Sequence, residues 1–285
     1  MARTNAISLI NSGTLEPELK ELYGYVIENV QKNTLSSALK SQAYTGNPAT
    51  GSVEFRRFKN STSKNYGTAR NASKGDAIAT TPITVNLDQH KEIVEECAKF
   101  DLDTFGVGGI MARRVDDHIR TMTSDLDVAF FAAAFATGGG TAFTPDSGVT
   151  NLVDILEAYI QKLETVKNEY VRGVPREIMN LVCSPAFYGK IRNLLDTLPN
   201  PNVDTVAESF GMFHGVRVYS SINLPANQNA VLMVDGAIAQ PVVSYPYTEP
   251  EKIPLSNDYG VSLFYDYGTK VLTPDLIFTY AAPST

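Results

Sequence analysis

Ser52-Val53-Glu54-Phe55-Arg56-Arg57-Phe58 and, further on, Ile83-Thr84-Val85-Asn86-Leu87 decide how this chain is read. In the first stretch Val53, Phe55 and Arg57 alternate with Glu54, Arg56 and Phe58; in the second Ile83, Val85 and Leu87 alternate with Thr84 and Asn86. A repeat of two sends successive side chains to opposite faces, which is the period of a strand. Between them, Asn60 to Asp76 is dominated by Ser, Thr, Asn, Gly, Lys and Arg, with Tyr66 its one aromatic residue. The pattern predicts a long two-stranded arm with a polar, basic tip; a floppy surface loop is the alternative. Six basic residues, Arg56, Arg57, Lys59, Lys64, Arg70 and Lys74, stand between Ser52 and Gly75 against Glu54 alone. That is a net of +5 in a chain of net −7, so the remainder carries −12. An isolated hairpin is marginally stable at best and needs a surface to lie on. An acidic neighbouring copy would supply one, and a basic projection on an acidic body is self-complementary.

Outward from the arm, the composition is that of a folded protein. With 285 residues, 43% of them hydrophobic and 19% charged, the chain has material for one large domain or two modest ones. That much apolar surface excludes disorder throughout. No apolar run approaches the roughly 18 residues needed to cross a bilayer, so no membrane partner is expected. The start, Met1-Ala2-Arg3-Thr4-Asn5, lacks the charged-then-apolar plan of a secretory signal, so maturation in a cytoplasm is expected. Cys97 and Cys183 are far apart and form no CxxC pattern, which predicts two reduced, buried thiols. The net charge argues against a general affinity for nucleic acid.

Before the arm, Leu15, Leu19, Leu22, Tyr23, Val26, Ile27 and Val30 follow a 3.6 period, with Thr14 as N-cap and Pro17 in the first turn. This helix belongs either to the main core or to an arm lying on a neighbour, in which case Leu19, Tyr23 and Val26 make the contact. After the acidic stretch Asp88 to Asp103, a long helix is expected from Ile110 to about Ala136. Its stripe is Met111, Val115, Ile119, Met122, Leu126, Phe130 and Ala133, with Arg113, Arg114, Asp116, Asp117 and Arg120 opposite. Gly138-Gly139-Gly140 ends it, and Pro145, Asp146 and Gly148 mark a candidate domain boundary. A second helix starts at N-cap Asn151 and buries Leu152, Ile155, Leu156, Tyr159, Ile160, Leu163 and Val166. From Glu177 strands alternate with short helices: Ile178 to Cys183, Pro185 to Leu195, Val216 to Tyr219 and Ala230 to Val234. Two strands are expected to close the chain, Val261 to Tyr267 and, after a turn at Gly268, Lys270 to Tyr280, with Pro274 implying an edge or bulge.

The last third carries a resemblance. Ile178-Met179-Asn180-Leu181-Val182-Cys183-Ser184-Pro185-Ala186 is similar to the strand-helix unit of tailed-phage major capsid proteins. Gly215 through Pro225 resembles the Gly-x-Pro-Val strand and Pro-terminated turn that follow it there, with Arg217 where the family favours proline. Val231-Leu232-Met233-Val234-Asp235-Gly236 resembles the next apolar strand, with its last two residues inverted. Gly268 to Phe278, containing Pro274, resembles the second strand of the family's closing hairpin. The order of these motifs covers Glu177 to Tyr280 in residue detail and the rest of the chain in plan.

The resemblance implies an α+β fold, shared with encapsulins and the herpesvirus capsid floor. Its expected parts are an N-terminal arm (1–48), an extended β-hairpin loop (49–90), a peripheral domain with a long spine helix (91–145), an axial domain (146–245) and strands returning to the peripheral domain (246–285). It implies a subunit that forms pentamers and hexamers of an icosahedral shell around double-stranded DNA, without sequence-specific binding. The implied partners are further copies, a portal and a decoration protein. About 50 residues precede the hairpin, which leaves no room for the fused scaffolding domain of some relatives, so a separate scaffolding protein is expected. The implied location is the virion capsid, assembled in a host cytoplasm. The rivals are an encapsulin-like nanocompartment shell and a soluble enzyme.

Enzymatic readings find little support, and no catalytic, cofactor or metal site is expected. Gly106-Val107-Gly108-Gly109 before a helix lacks the third glycine and preceding buried strand of a dinucleotide loop. His90, His118 and His214 stand at no metal-binding spacing. Asp116-Asp117-His118 reads as a solvated charged face, since adjacent helical residues point about 100° apart. His214, beside Gly215, reads as a turn residue. Glu92, Glu95 and Glu96 near Lys91 and Lys99 suit surface ion pairs. Some relatives cross-link a hairpin lysine to an asparagine; Lys59, Lys64 and Lys74 occupy the hairpin, but no motif selects a partner. Tyr245, Tyr247, Tyr259, Tyr265, Tyr267 and Tyr280 suit interfaces or core.

Overall fold

The apolar run ending at Val234 becomes the middle of the protein's largest sheet. In the computed structural model of the chain, the described residues are 34–67, 77–99, 107–196, 203–204, 209–245, 251–256 and 258–281. The helix expected over 15–31, with Leu19, Tyr23 and Val26, lies outside them. In chain order the first elements are helix α1 (Leu35–Leu39), strands β1 (Ser52–Phe58), β2 (Thr80–Asn86) and β3 (Gln89–Cys97), helix α2 (Val107–Phe135) and strand β4 (Thr141–Ala142). Helix α3 (Leu152–Glu164), strand β5 (Met179–Cys183) and helix α4 (Pro185–Asp196) follow. The remaining strands are β6 (Val203–Asp204), β7 (Ser209–Phe210), β8 (Met212–Phe213), β9 (Val216–Ser220), β10 (Gln228–Val234), β11 (Ile238–Ala239) and β12 (Val242–Tyr245). The last four are β13 (Glu251–Lys252), β14 (Tyr259–Tyr267), β15 (Lys270–Val271) and β16 (Ile277–Ala281).

A six-stranded mixed sheet runs β4-β16-β10-β5-β9-β8, and it is covered on both faces. Strand β10 alternates between two cores, as a strand buried on both sides must. Ala230, Leu232 and Val234 face Leu156, Tyr159, Ile160 and Leu163 of α3 and Phe187 and Ile191 of α4. Val231 and Met233 face Leu39 of α1 and Phe130, Phe131 and Ala134 at the C-terminal end of α2. Asn151 caps α3 as expected, its side-chain oxygen accepting from the Val153 N–H at 3.2 Å. Cys183 is buried and unbridged, and burial pushes its thiol well above the ordinary range. For Cys97 only the backbone, in β3, is described.

A second sheet is built around β14, which pairs β12 and β13 on one edge and β3 along its whole length on the other. Helix α2 supports its inner face: the buried Tyr265 hydroxyl donates to Asp125 at 2.8 Å. The side-chain amide of buried Gln240 donates to the Leu126 carbonyl at 2.8 Å. The acidic stretch is thus in part a strand. Glu95 pairs with Arg114 of α2, and the His118 ring nitrogen lies 3.2 Å from it, where the sequence pattern suits ion pairs to nearby lysines.

Two further expectations are corrected. Residues 270–280 form no single strand paired back on β14: β15 pairs β11, Pro274–Leu276 makes a 3-10 turn, and β16 joins the six-stranded sheet. Pro274 has no N–H for a ladder and its fixed φ suits that turn. His118 is not on the solvated face; it is 2% exposed, while Asp116 and Asp117 are exposed as expected. Its row on the helix is that of Met122 and Leu126, one and two steps of four away.

Candidate assembly interface

Strands β1 and β2 pair antiparallel from Ser52↔Asn86 to Phe58↔Thr80, giving the two-stranded ribbon that the alternation predicts. Its apolar face is buried only at the root. Val53, Phe55 and Val85 pack with Ala239 of β11 and with Leu272, and Ile83 lies partly buried against them. Further out the ribbon is exposed, and it carries large apolar groups into solvent: Phe58 is 60%, Ile78 85% and Tyr66 91% exposed.

Where the apolar contacts stop, Arg57 takes the next position on the same face. Its guanidinium donates to both carboxylate oxygens of Asp275, at 2.8 and 2.7 Å, and lies 4.2 Å from the centroid of the Tyr170 ring. Burial alone would raise the Asp275 carboxyl, but hydrogen bonds from Arg57 and from Asn168 hold it below the ordinary aspartate range. Lys59 pairs with Glu169 at 2.7 Å, and the Asn60 N–H donates to the Glu169 carbonyl at 2.8 Å. Arg172 donates to the Ser61 carbonyl, and on the other strand Thr81 meets the Tyr170 hydroxyl at 3.1 Å. The six basic residues expected to contact a neighbour therefore divide. Arg57 and Lys59 are engaged within their own chain, Arg56 pairs with Glu54 at 2.8 Å and Lys64 is exposed, while Arg70 and Lys74 lie outside the described residues.

The outer face of the β14 sheet has the complementary character. Register places Val94 beside Ser262, Phe264 beside both Glu92 and Tyr245, and Asp266 beside His90. Val94 (59%), Tyr245 (47%) and Phe264 (43%) are exposed, and the carboxylates Glu92, Glu96 and Asp266 share that face. A composition-level reading located the acid but not this face, because β3 does not look like a strand.

A third charged cluster sits on α3. Arg176 binds Glu157 at 2.7 Å and Glu164 at 2.8 Å, and the His214 ring nitrogen is 2.7 Å from Glu157. The Arg176 hydrogen bond holds Glu157 down to about 2. His214 and Gly215 both have positive φ, 47° and 86°, and join β8 to β9 as a two-residue turn, the role expected for His214. Among the described residues no group of three or more His, Cys, Asp or Glu is placed to hold a metal ion.

A family model described as "Phage capsid protein" matches residues 92–280. Comparison with curated proteins finds no match. Among solved structures, one from Mycobacterium phage Che8 aligns with a TM-score of 0.58 and 19% identity, over 81% of this chain and 84% of that one. The capsid of cyanophage P-SCSP1u aligns with a TM-score of 0.60 and 14% identity, over 88% and 89%. A virus-like particle from Pyrococcus furiosus aligns with a TM-score of 0.60 and 12% identity, over 94% and 99%. At these identities the structures speak to the fold, which this chain shares along most of its length.

Proposed function

This chain belongs to the phage capsid protein family, and from that premise we propose how it builds the head of a tailed phage. Copies associate as pentamers and hexamers, and these close into an icosahedral shell around double-stranded DNA. Of the arm expected over 1–48, the part from Leu35 on packs on its own chain through α1 and Thr45, so the part before it is what reaches one neighbour, and 49–90 is the hairpin laid on another. Residues 91–145 form the peripheral domain, 146–245 the axial domain meeting its copies at the capsomer centre, and 246–285 the returning strands. The chain is structural and catalyses nothing. A separate scaffolding protein, a portal and a decoration protein complete the particle, which forms in the host cytoplasm.

The observation that carries this reading is a ribbon buried at its root and exposed beyond it, with Phe58, Tyr66 and Ile78 in solvent beside basic groups. A monomer gains nothing from such an arrangement, whereas a neighbour's face bearing Val94, Phe264 and Tyr245 among Glu92, Glu96 and Asp266 matches it in polarity and charge. Each contact is modest, but a closed shell repeats it many times and the overlapping copies add avidity. Exposed carboxylates elsewhere suit a lining that contains DNA without gripping it.

Sizing chromatography followed by negative-stain imaging of the purified full chain tests the reading. Capsomers or megadalton shells are expected; small discrete oligomers that never form shells would overturn it and favour an enzyme. The alignment with the Pyrococcus furiosus virus-like particle over 94% of this chain and 99% of that one supports one second reading, an encapsulin-like compartment. Its gene would neighbour a cargo enzyme, where that of a phage head would neighbour terminase and portal.

A further inference from the structure

Loop 167–172 lies between α3 and the 3-10 turn Arg176–Ile178, and its shape is fixed from within. The Asn168 side-chain oxygen accepts from the N–H groups of Tyr170 and Val171, both at 2.8 Å, and the Asn168 N–H donates to the Val171 carbonyl at 2.9 Å. Lys167 and Arg172 bridge its ends. This stiff loop touches both edges of the ribbon, at Arg57, Lys59, Asn60 and Ser61 on one side and at Thr81 on the other. Asp275, from the 3-10 turn after β15, closes the grip by binding Arg57 and Asn168 together, the latter at 2.6 Å.

From this convergence we infer that loop 167–172 and Asp275 form a clasp that sets the direction in which the ribbon leaves the subunit. Val53, Phe55 and Val85 anchor the root, where Thr45 and Glu54 also exchange backbone hydrogen bonds at 2.9 and 3.1 Å and Lys270 donates to the Thr84 carbonyl at 2.9 Å, but contacts confined to the root leave the strands beyond it free to swing. The clasp adds a second attachment farther out, made of directional contacts: a bidentate guanidinium–carboxylate pair, a cation over an aromatic face and backbone hydrogen bonds on either side. Two attachments separated along a ribbon fix its angle. Arg57 and Lys59 are then positioning residues, and the exposed ribbon beyond them is the part left to engage a neighbour.

The inference rests on the assembly reading, and its test separates the two. Arg57→Asp, Asp275→Arg and the double swap are compared with the parent by hydrogen exchange in the unassembled subunit and by imaging after assembly. Each single variant is expected to speed exchange at residues 79–83 by about tenfold or more and to give irregular or open shells. Amides 231–233 of β10 should stay protected, which shows that the fold is intact. The double swap, which restores the pair with its charges exchanged, is expected to recover ribbon protection and regular shells. Glu169→Lys, at an exposed carboxylate that no core depends on, should loosen the ribbon in the same direction. Single variants that exchange and assemble like the parent, or a swap no better than its components, would overturn the clasp. A parent chain that forms neither capsomers nor shells overturns the assembly reading instead, and the exchange data stand apart from it.

Discussion

Tyr159→Phe is the sharpest test of how α3 is tied to the six-stranded sheet. The Tyr159 side chain is fully buried among Phe143, Tyr280 and the β10 residues, so the substitution removes one oxygen and leaves the ring packing alone. That hydroxyl donates to the Phe278 carbonyl of β16 at 2.6 Å and accepts from the Leu232 N–H of β10 at 3.1 Å. Both backbone partners lie where water does not reach. Stranding a buried donor or acceptor costs about 1–3 kcal/mol each, and partial relaxation of the two strands toward one another recovers some of it. A loss of roughly 2–3 kcal/mol is therefore expected from one atom. For a chain of this size each kcal/mol shifts the melting temperature by about 2–4 °C, so the melt should fall by about 5–10 °C. Thermal unfolding of unassembled subunits followed by near-UV circular dichroism measures it, and amide exchange at Leu232 reports the local effect. A melt within about 2 °C of the parent, with Leu232 equally protected, would show that the hydroxyl does not join these strands.

Gly139→Ala should be as damaging for a different reason. A Cβ at Gly139 would press on the backbone carbonyls of Ala133, Ala134 and Ala136, where nothing can yield, so a loss of about 3 kcal/mol and a lower yield of folded chain are expected by denaturant titration. The Glu157–Arg176 cluster predicts acid sensitivity. Glu157 is held down to about 2 in the folded chain, so its contribution is complete above the ordinary glutamate range and is lost as pH falls from there toward 2; in Glu157→Gln that slope should flatten. Burial, followed by the Arg114 charge, lowers the His118 imidazole, while Asp117 acts the other way and Glu95 is already bound by Arg114. Stability is then level above the ordinary histidine range and declines as pH drops below about 6.5, because the unfolded chain takes the proton first. His118→Gln should remove that decline from a pH series of melts.

Much of the fold is legible where one local signal dominates. The β10 run, the Asn151 cap and the alternation in β1 each state their structure within a few residues. Strand β3 does not: Gln89-His90-Lys91-Glu92-Ile93-Val94-Glu95-Glu96-Cys97 is rich in charge and is a strand because β14 pairs with all nine of its residues. Tertiary pairing there overrides propensity. His118 was readable from its step of four to Met122, but the two aspartates before it draw the eye to the polar face. The clasp was not readable at all. Arg57 and Asp275 are 218 positions apart, and no spacing rule links a charge at the end of one strand to a charge in a distant turn. Of the basic set, Arg56, Arg57 and Lys59 stand on the first strand of the ribbon or at its end, and which of them turn inward depends on that distant partner.

The path of helix α2 explains why these pieces act together. Its 29 residues span about 43 Å at the usual rise, so one rigid rod passes three different environments. Near its start Arg114 binds Glu95 of β3 and the buried His118 ring lies beside that carboxylate. In the middle Asp125 and Leu126 hold Tyr265 of β14 and Gln240, which follows β11. At its end Phe130, Phe131 and Ala134 sit in the core of the six-stranded sheet. The ribbon roots on Ala239 of β11, one residue from Gln240, so it is tied to the same rod. Tilting the outer face of the β14 sheet relative to the ribbon therefore requires bending α2 or breaking a buried hydrogen bond, and either resists small thermal motion. In the assembly proposed above, a subunit that both offers a ribbon and receives one needs these two surfaces held at a fixed angle, since that angle, repeated from copy to copy, would determine whether a ring of subunits closes.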